Sequence, residues 1–248
     1  MVDKIDYVNA LNDNYIWLLI KGDHVVAIDP GEASPLLNWL TNSHYQLKGI
    51  VITHHHYDHV GGIDELIHHF PKIKIAGPEH QDIQPLHIHA KDKITIDFWN
   101  SNVIHVPGHT KEHVAYYDGN QLFCGDTLFC AGCGRNFECE YDVLFDSLQT
   151  LKKLPDKTKI YCGHEYTISN LKFAQMIEPL NPTIESHLKQ CEILQCTLPS
   201  TIALEKKINP FLRCSEASII RAVERRFNCK APSEKKVFKL LRKWKDTF

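Results

Sequence analysis

Four potential metal ligands fall within the six-residue run His54-His55-His56-Tyr57-Asp58-His59, directly after the apolar segment 49–52. The apolar segment predicts a short buried strand, so the run begins where a strand ends. In extended backbone, residues i and i+2 point the same way. His54 and His56 can therefore hold one cation together, while His55 faces the opposite side and is left out of the set. Asp58 and His59 come where the chain turns through Gly61-Gly62 toward the helical spacing of 63–69. They can serve a second, neighbouring cation. Such a run constrains the fold, because a strand end and a helix start must meet at one edge of a sheet.

A cation needs more ligands than one loop offers, and the later chain supplies them in a repeated pattern. Val106-Pro107-Gly108-His109-Thr110 follows the predicted strand 102–105. Phe123-Cys124-Gly125-Asp126-Thr127 and Tyr161-Cys162-Gly163-His164-Glu165 each follow another. Every time an apolar strand stops, glycine opens the turn, and His or Asp appears. His54, His56 and His109 can then serve one ion and Asp58, His59 and His164 the other, with Asp126 bridging through its two oxygens. Imidazole and carboxylate donors suit zinc, iron or manganese better than calcium. The set contains no cysteine, which favours an open catalytic site over a closed structural one. Two such ions roughly 3.5–4 Å apart activate a shared water near neutral pH, so the expected chemistry is metal-assisted hydrolysis.

Around these motifs the hydrophobic pattern predicts strands at 15–20 and 25–28 about Gly22-Asp23, and at 72–76, 93–96, 102–105, 114–118, 121–124 and 159–162. Helical spacing appears at 35–43 and 144–154. After Thr167 strand signals fade, and helices are predicted at 171–177, 184–196, 215–226 and 233–245. The expected organisation is an α/β domain over 1–167 followed by a helical domain over 168–248. With 28 basic and 30 acidic residues the formal charge is −2, which gives no global attraction for nucleic acid or anionic membrane. No signal-peptide core or membrane-length apolar run is present. Nine dispersed cysteines read as reduced thiols of a cytoplasmic protein, and Cys130-x-x-Cys133 lacks the second pair of a zinc ribbon. Among the other histidines, His68, His69, His80, His87 and His89 are expected to be solvated or locally hydrogen-bonded.

The His-x-His-x-Asp-His run with later His, Asp and His ligands resembles the metallo-β-lactamase superfamily, which implies a four-layer αββα sandwich with the metals at one edge. Asp29, in Ile28-Asp29-Pro30-Gly31, matches a further motif of that superfamily and is expected to orient the ligand loop. Within it, the chain is similar over its whole length to the hydroxyacylglutathione hydrolase (glyoxalase II) family. Gly125-Asp126-Thr127-Leu128-Phe129, Ala131-Gly132-Cys133-Gly134-Arg135-Asn136-Phe137-Glu138, Cys162-Gly163-His164-Glu165-Tyr166-Thr167, Asn209-Pro210-Phe211-Leu212-Arg213 and Leu241-Arg242-Lys243-Trp244-Lys245-Asp246 carry the likeness.

The resemblance implies hydrolysis of S-(2-hydroxyacyl)glutathione thioesters, chiefly S-D-lactoylglutathione, to glutathione and D-lactate. This is the second step of methylglyoxal degradation. A metal-bridging hydroxide would attack, with Asp58 and Asp126 as catalytic residues. Two divalent ions, zinc first and iron or manganese as alternatives, would be bound per monomeric chain. Arg135, Phe137 and Tyr166 would contact the glutathione moiety, and Arg242 and Lys245 its glycine carboxylate. One departure stands out: Cys139-Glu140 occupies a place where the family has a small residue. Three other activities use a similar loop: phosphodiester hydrolysis as in RNA-processing nucleases, sulfur dioxygenation at one iron, and a non-catalytic scaffold. Near-neutral charge argues mildly against the first, the second would bind only one metal through two histidines and a carboxylate, and retention of all seven ligands argues against the scaffold.

Overall fold

The computed structural model describes residues 2–248. They form two compact units, residues 2–105 with Glu112–Gly125, and Val106–Lys111 with Asp126–Phe248.

The first unit is built on strands β1 (Lys4–Ala10), β2 (Asn14–Lys21), β3 (His24–Ile28), β4 (Gln46–Val51), β5 (Lys74–Gly77) and β6 (Ile88–His89), in that order across one sheet. β1–β2–β3 are antiparallel and β3–β4–β5–β6 parallel. The parallel part has a crossover helix, α1 (Ala33–Thr41), between β3 and β4. After β4 come the short α2 (Tyr57–Val60) and then α3 (Ile63–His69). Strand β2 is apolar on both faces, as a doubly covered strand must be. Ile16, Leu18 and Ile20 join Leu36 and Leu40 of α1 and Leu66 of α3 in one core. The other face meets a second, antiparallel set: β7 (Lys93–Ile96), β8 (Trp99–His105), β9 (Val114–Tyr117) and β10 (Gln121–Gly125). There Ile96 fills the space over Gly49, and the buried Tyr116 hydroxyl donates to the Ile52 carbonyl at 2.6 Å.

The second unit holds a two-stranded hairpin, β11 (Leu128–Phe129) with β12 (Gly132–Cys133), then α4 (Tyr141–Lys152) and β13 (Lys159–Cys162). Helices α5 (Thr167–Ile177) and α6 (Pro182–Cys191) follow, then β14 (Ser200–Thr201), which pairs with β13, and α7 (Ile202–Ile208). A 3₁₀ turn (Pro210–Leu212), α8 (Ala217–Phe227) and α9 (Glu234–Lys245) complete it.

Most predicted elements are present. Strand β1 escapes prediction because it is partly exposed and breaks its alternation with charge. Helix α6 ends at Cys191 rather than 196, and starts where Asn181 caps Thr183 and Ile184 ahead of Pro182. Helix α7 is a short element whose start is marked only by the Thr201 cap on Leu204. Among the described residues no helix is long and apolar enough to cross a membrane.

One glycine decides how closely the end of β3 approaches α2. A Cβ on Gly31 would lie 1.8 Å from the Asp58 carbonyl oxygen, so any side chain must force the two backbones apart. Gly31→Ala is expected to cost about 1–3 kcal/mol and lower the thermal midpoint by several degrees. Calorimetry checks this, and a wild-type midpoint would contradict the close approach.

Candidate metal centre

The predicted ligands divide between the units: His54, His56, Asp58 and His59 lie in the first, and His109, Asp126 and His164 in the second.

In the first unit, β4 delivers Thr53 and His54 to the sheet edge, both fully buried. Asp29 waits there at the end of β3, in the left-handed region with φ 53°. Its carboxylate accepts from the Thr53 amide at 2.7 Å and the Thr53 hydroxyl at 2.6 Å. It also accepts a hydrogen bond from His59 Nδ1 at 3.0 Å. These bonds settle two tautomers. His59 donates from Nδ1, so its Nε2 keeps a lone pair, 3.6 Å from Asp58 Oδ2. The Thr53 hydroxyl spends its one proton on Asp29, so it accepts from His54 Nδ1 at 3.0 Å. His54 Nε2 is therefore also left as a donor atom to a cation. The His54 ring lies 4.8 Å from that of His56 and 4.1 Å from that of His59. His55 turns away and stacks on His80 at 3.7 Å, as the alternation of extended backbone requires.

Two residues here escaped the sequence reading. Asn14, at the start of β2, donates from Nδ2 to both the backbone oxygen and Oδ2 of Asp58, each at 3.1 Å. His113 stacks on His54 at 4.5 Å. Nothing in their spacing distinguishes them from an ordinary turn asparagine and a core histidine.

In the second unit, one oxygen of Asp126 faces two imidazoles. Its Oδ2 is 3.5 Å from His109 Nε2 and 3.2 Å from His164 Nε2. All three residues are buried. His109 Nδ1 lies 2.9 Å from the Arg135 carbonyl, which can only accept, so Nδ1 carries the proton and Nε2 faces Asp126. His164 lies flat against Tyr166, with centroids 4.8 Å apart and planes within 6°. Phe137 is largely exposed, with its ring against His109 at 5.2 Å.

The remaining candidates gather around Asp246. Arg135 Nε lies 3.5 Å from its Oδ1, and Arg242 Nε and Nη2 lie at 3.2 and 3.1 Å. Arg242 is buried, and its Nη1 donates to the Cys133 carbonyl at 2.8 Å. Half-buried Lys245 reaches Ser169 Oγ at 3.2 Å. Burial pushes its ammonium down to about 8, with Arg242 and Arg135 adding to the effect. The patch thus holds three basic groups against one acid. Cys139 and Glu140 sit just ahead of α4, where the Glu140 carbonyl accepts from Asn136.

The chain matches two family models, "Metallo-beta-lactamase superfamily" over residues 11–164 and "Hydroxyacylglutathione hydrolase C-terminus" over 165–248. A hydroxyacylglutathione hydrolase of Aliivibrio salmonicida is 47% identical over 98% of this chain and 99% of its own length. One from Photobacterium profundum is 43% identical over 98% and 99%. Among solved structures, ETHE1 from Myxococcus xanthus superposes with a TM-score of 0.65 at 20% identity, covering 98% of this chain and 99% of its own. A B3 metallo-β-lactamase, BLEG-1, gives 0.65 at 21%, covering 85% and 100%. The fold is accordingly that of the metallo-β-lactamases extended by a C-terminal helical region, and the chain belongs to the hydroxyacylglutathione hydrolase family of that superfamily.

Proposed function

We propose that this protein hydrolyses S-(2-hydroxyacyl)glutathione thioesters, S-D-lactoylglutathione among them, by metal-assisted attack of water. Residues 1–167 would supply the catalytic domain and 168–248 the glutathione-binding one. The observation that carries the reading is the Asp126 carboxylate, whose Oδ2 faces the Nε2 atoms of both His109 and His164. Relatives of 43–47% identity over nearly the full chain, named hydroxyacylglutathione hydrolases, supply the substrate class.

The donor set fits divalent metal. His54, His59 and His109 each have Nδ1 committed to an acceptor, which readies Nε2 for a cation. His54, His56 and His109 would hold one ion and Asp58, His59 and His164 the other, with Asp126 shared. Nitrogen and carboxylate donors favour zinc, and iron or manganese suit them as well. When bound, such ions lower the pKa of a coordinated water and offset charge developing on the carbonyl oxygen.

The chain's own groups do the rest. Asn14 fixes the Asp58 carboxylate, placing Oδ2 to accept a hydrogen bond from the attacking water. A glutathione thiol ionises at about 8.5, so the thiolate leaves without a strong general acid. Arg135, Arg242 and Lys245 offer positive charge to glutathione carboxylates. Arg242 acts from beneath, since Cys133 and Asp246 already occupy its N–H groups. Phe137 and Tyr166 flank His109 and His164 and give the ligand apolar walls. The nine cysteines are all free thiols, which supports a reducing, cytoplasmic location.

Purified protein should cleave S-D-lactoylglutathione, followed as loss of thioester absorbance, and a chelator should abolish the activity. Metal-loaded protein that spares the thioester but cuts a phosphodiester would overturn the reading. Asp126→Ala should lose metal per chain together with about 100-fold or more of kcat, as read by elemental analysis and steady-state kinetics. Normal loading would remove the shared role.

Lys245 carries a pH dependence. Below about 8 it is a cation and attracts a carboxylate, and above that it is neutral, so KM should rise as pH passes about 8. Lys245→Met should raise KM roughly tenfold at pH 7 with kcat little changed. Its KM should also stay flat where the wild type rises. A selective loss of kcat, or an unchanged pH profile, would count against this role.

A further inference from the structure

The hairpin of β11 and β12 is a tight turn buried from end to end: Leu128, Phe129, Cys130, Ala131, Gly132 and Cys133 are all inaccessible. Ala131 at its tip adopts φ 53°. A buried turn must find partners for backbone groups that would otherwise face water. Here the partners are side chains of the helical region. Asn209 donates from Nδ2 to the Gly132 carbonyl at 2.9 Å and the Phe129 carbonyl at 3.3 Å. Its Oδ1 is held by the Phe211 amide at 3.0 Å, which fixes the orientation of the amide. Glu205 Oε2 accepts from the Ala131 amide at 2.8 Å and from Asn209 Nδ2 at 2.9 Å, while Oε1 accepts from the Ser200 hydroxyl. Asn170 donates to the Cys130 carbonyl at 3.0 Å. Glu205 and Asn209 are fully buried and Asn170 nearly so.

The hairpin in turn touches two candidate ligands. It follows Asp126 directly and runs out through Gly134, whose amide returns to the Thr127 carbonyl at 3.2 Å. A Cβ on Gly134 would lie 2.0 Å from the Asp126 carbonyl oxygen and 3.1 Å from His109 Nδ1. The next residue, Arg135, provides the carbonyl that takes the His109 Nδ1 proton. A shift of the hairpin therefore moves Asp126 and His109 together.

We propose that Asn209, Glu205 and Asn170 are positioning residues for the metal centre, holding the buried hairpin Leu128–Cys133 so that Gly134 and Arg135 set Asp126 and His109. The helical region thus shapes the chemistry of the centre as well as binding glutathione. This rests on reading Asp126 and His109 as ligands. What the hairpin needs at position 205 is an acceptor, and the charge is secondary. Burial pushes the Glu205 carboxyl up, against hydrogen bonds that pull it back, and a neutral amide can accept from Ala131 and Asn209 in its place.

The test compares Glu205→Gln with Glu205→Met, both neutral and similar in size, and adds Asn170→Ser as a milder cut. Zinc affinity by competition with a chromophoric chelator, kcat, and KM for S-D-lactoylglutathione are measured well below the unfolding midpoint. Glu205→Met should lose about 10–100-fold in zinc affinity or kcat, with KM little changed, and Glu205→Gln should stay close to wild type, since only the first removes the acceptor. Asn170→Ser should shift the same two quantities in the same direction by less, and it carries the test if Glu205→Met does not fold. A lower unfolding temperature with wild-type kcat and zinc affinity in Glu205→Met and Asn170→Ser would overturn the positioning role. So would equal losses in Glu205→Gln and Glu205→Met. Asp126→Ala run alongside separates the failures: if it keeps its zinc, the ligand reading is at fault. If it loses zinc while Glu205→Met and Asn170→Ser do not, only the positioning role falls.

Discussion

The Asp29 carboxylate takes three hydrogen bonds, from the Thr53 amide, the Thr53 hydroxyl and His59 Nδ1, and the candidate centre in the first unit depends on them. A neutral imidazole can give a lone pair to a cation only from the nitrogen without the proton. Asp29 decides that for His59 directly and for His54 through Thr53. It also closes the gap between the ends of β3 and β4, where its own amide donates to the Val51 carbonyl at 2.9 Å. Strand pairing, loop shape and ring tautomer are thus set by one residue, through its amide and its carboxylate, held in a left-handed conformation that aspartate tolerates better than most residues.

The second unit solves the same problem with backbone. The Arg135 carbonyl fixes His109, so the precision of that ring depends on where residues 134 and 135 run. Carbonyls move with their chain, and this chain leaves a hairpin buried in the protein. That is why three buried polar side chains are spent on six residues of turn. A buried polar network is favourable when every member is satisfied and costly otherwise, so the network resists small displacements of the hairpin.

How much of this was legible in the sequence follows from the same physics. The candidate ligands' places at strand ends were readable, because glycine-then-His or glycine-then-Asp after an apolar run is a local pattern. His55 was separable from its neighbours by alternation alone. The supporting residues were not readable. Asn14 meets Asp58 across 44 positions and Asn209 meets Gly132 across 77, and no local spacing encodes such pairings. Arg242 is an instructive middle case. The resemblance implied a carboxylate contact. The structure places its guanidinium in the interior, bonded to Cys133 and Asp246, so its charge and its hydrogen bonds serve different partners.

That division matters for how the basic patch works. Arg135 and Arg242 share one acid, Asp246, with Lys245 beside them, and like charges held together in a half-buried place repel. Burial depresses the ammonium of Lys245 first, and repulsion from Arg242 and Arg135 adds to it. Rigid side chains keep the cations in place: Arg242 lies over the Phe211 ring at 5.1 Å, and Lys245 over Phe248 at 4.8 Å and Phe173 at 5.3 Å. On the proposed function, an incoming carboxylate would relieve the repulsion instead of having to order the groups, which is the advantage of a preorganised site. Attraction of this kind is felt equally before and during reaction, so it contributes to binding without changing the barrier of the bound substrate. On the proposed function, binding would thereby be separated from the barrier, which would fall to the groups around Asp126.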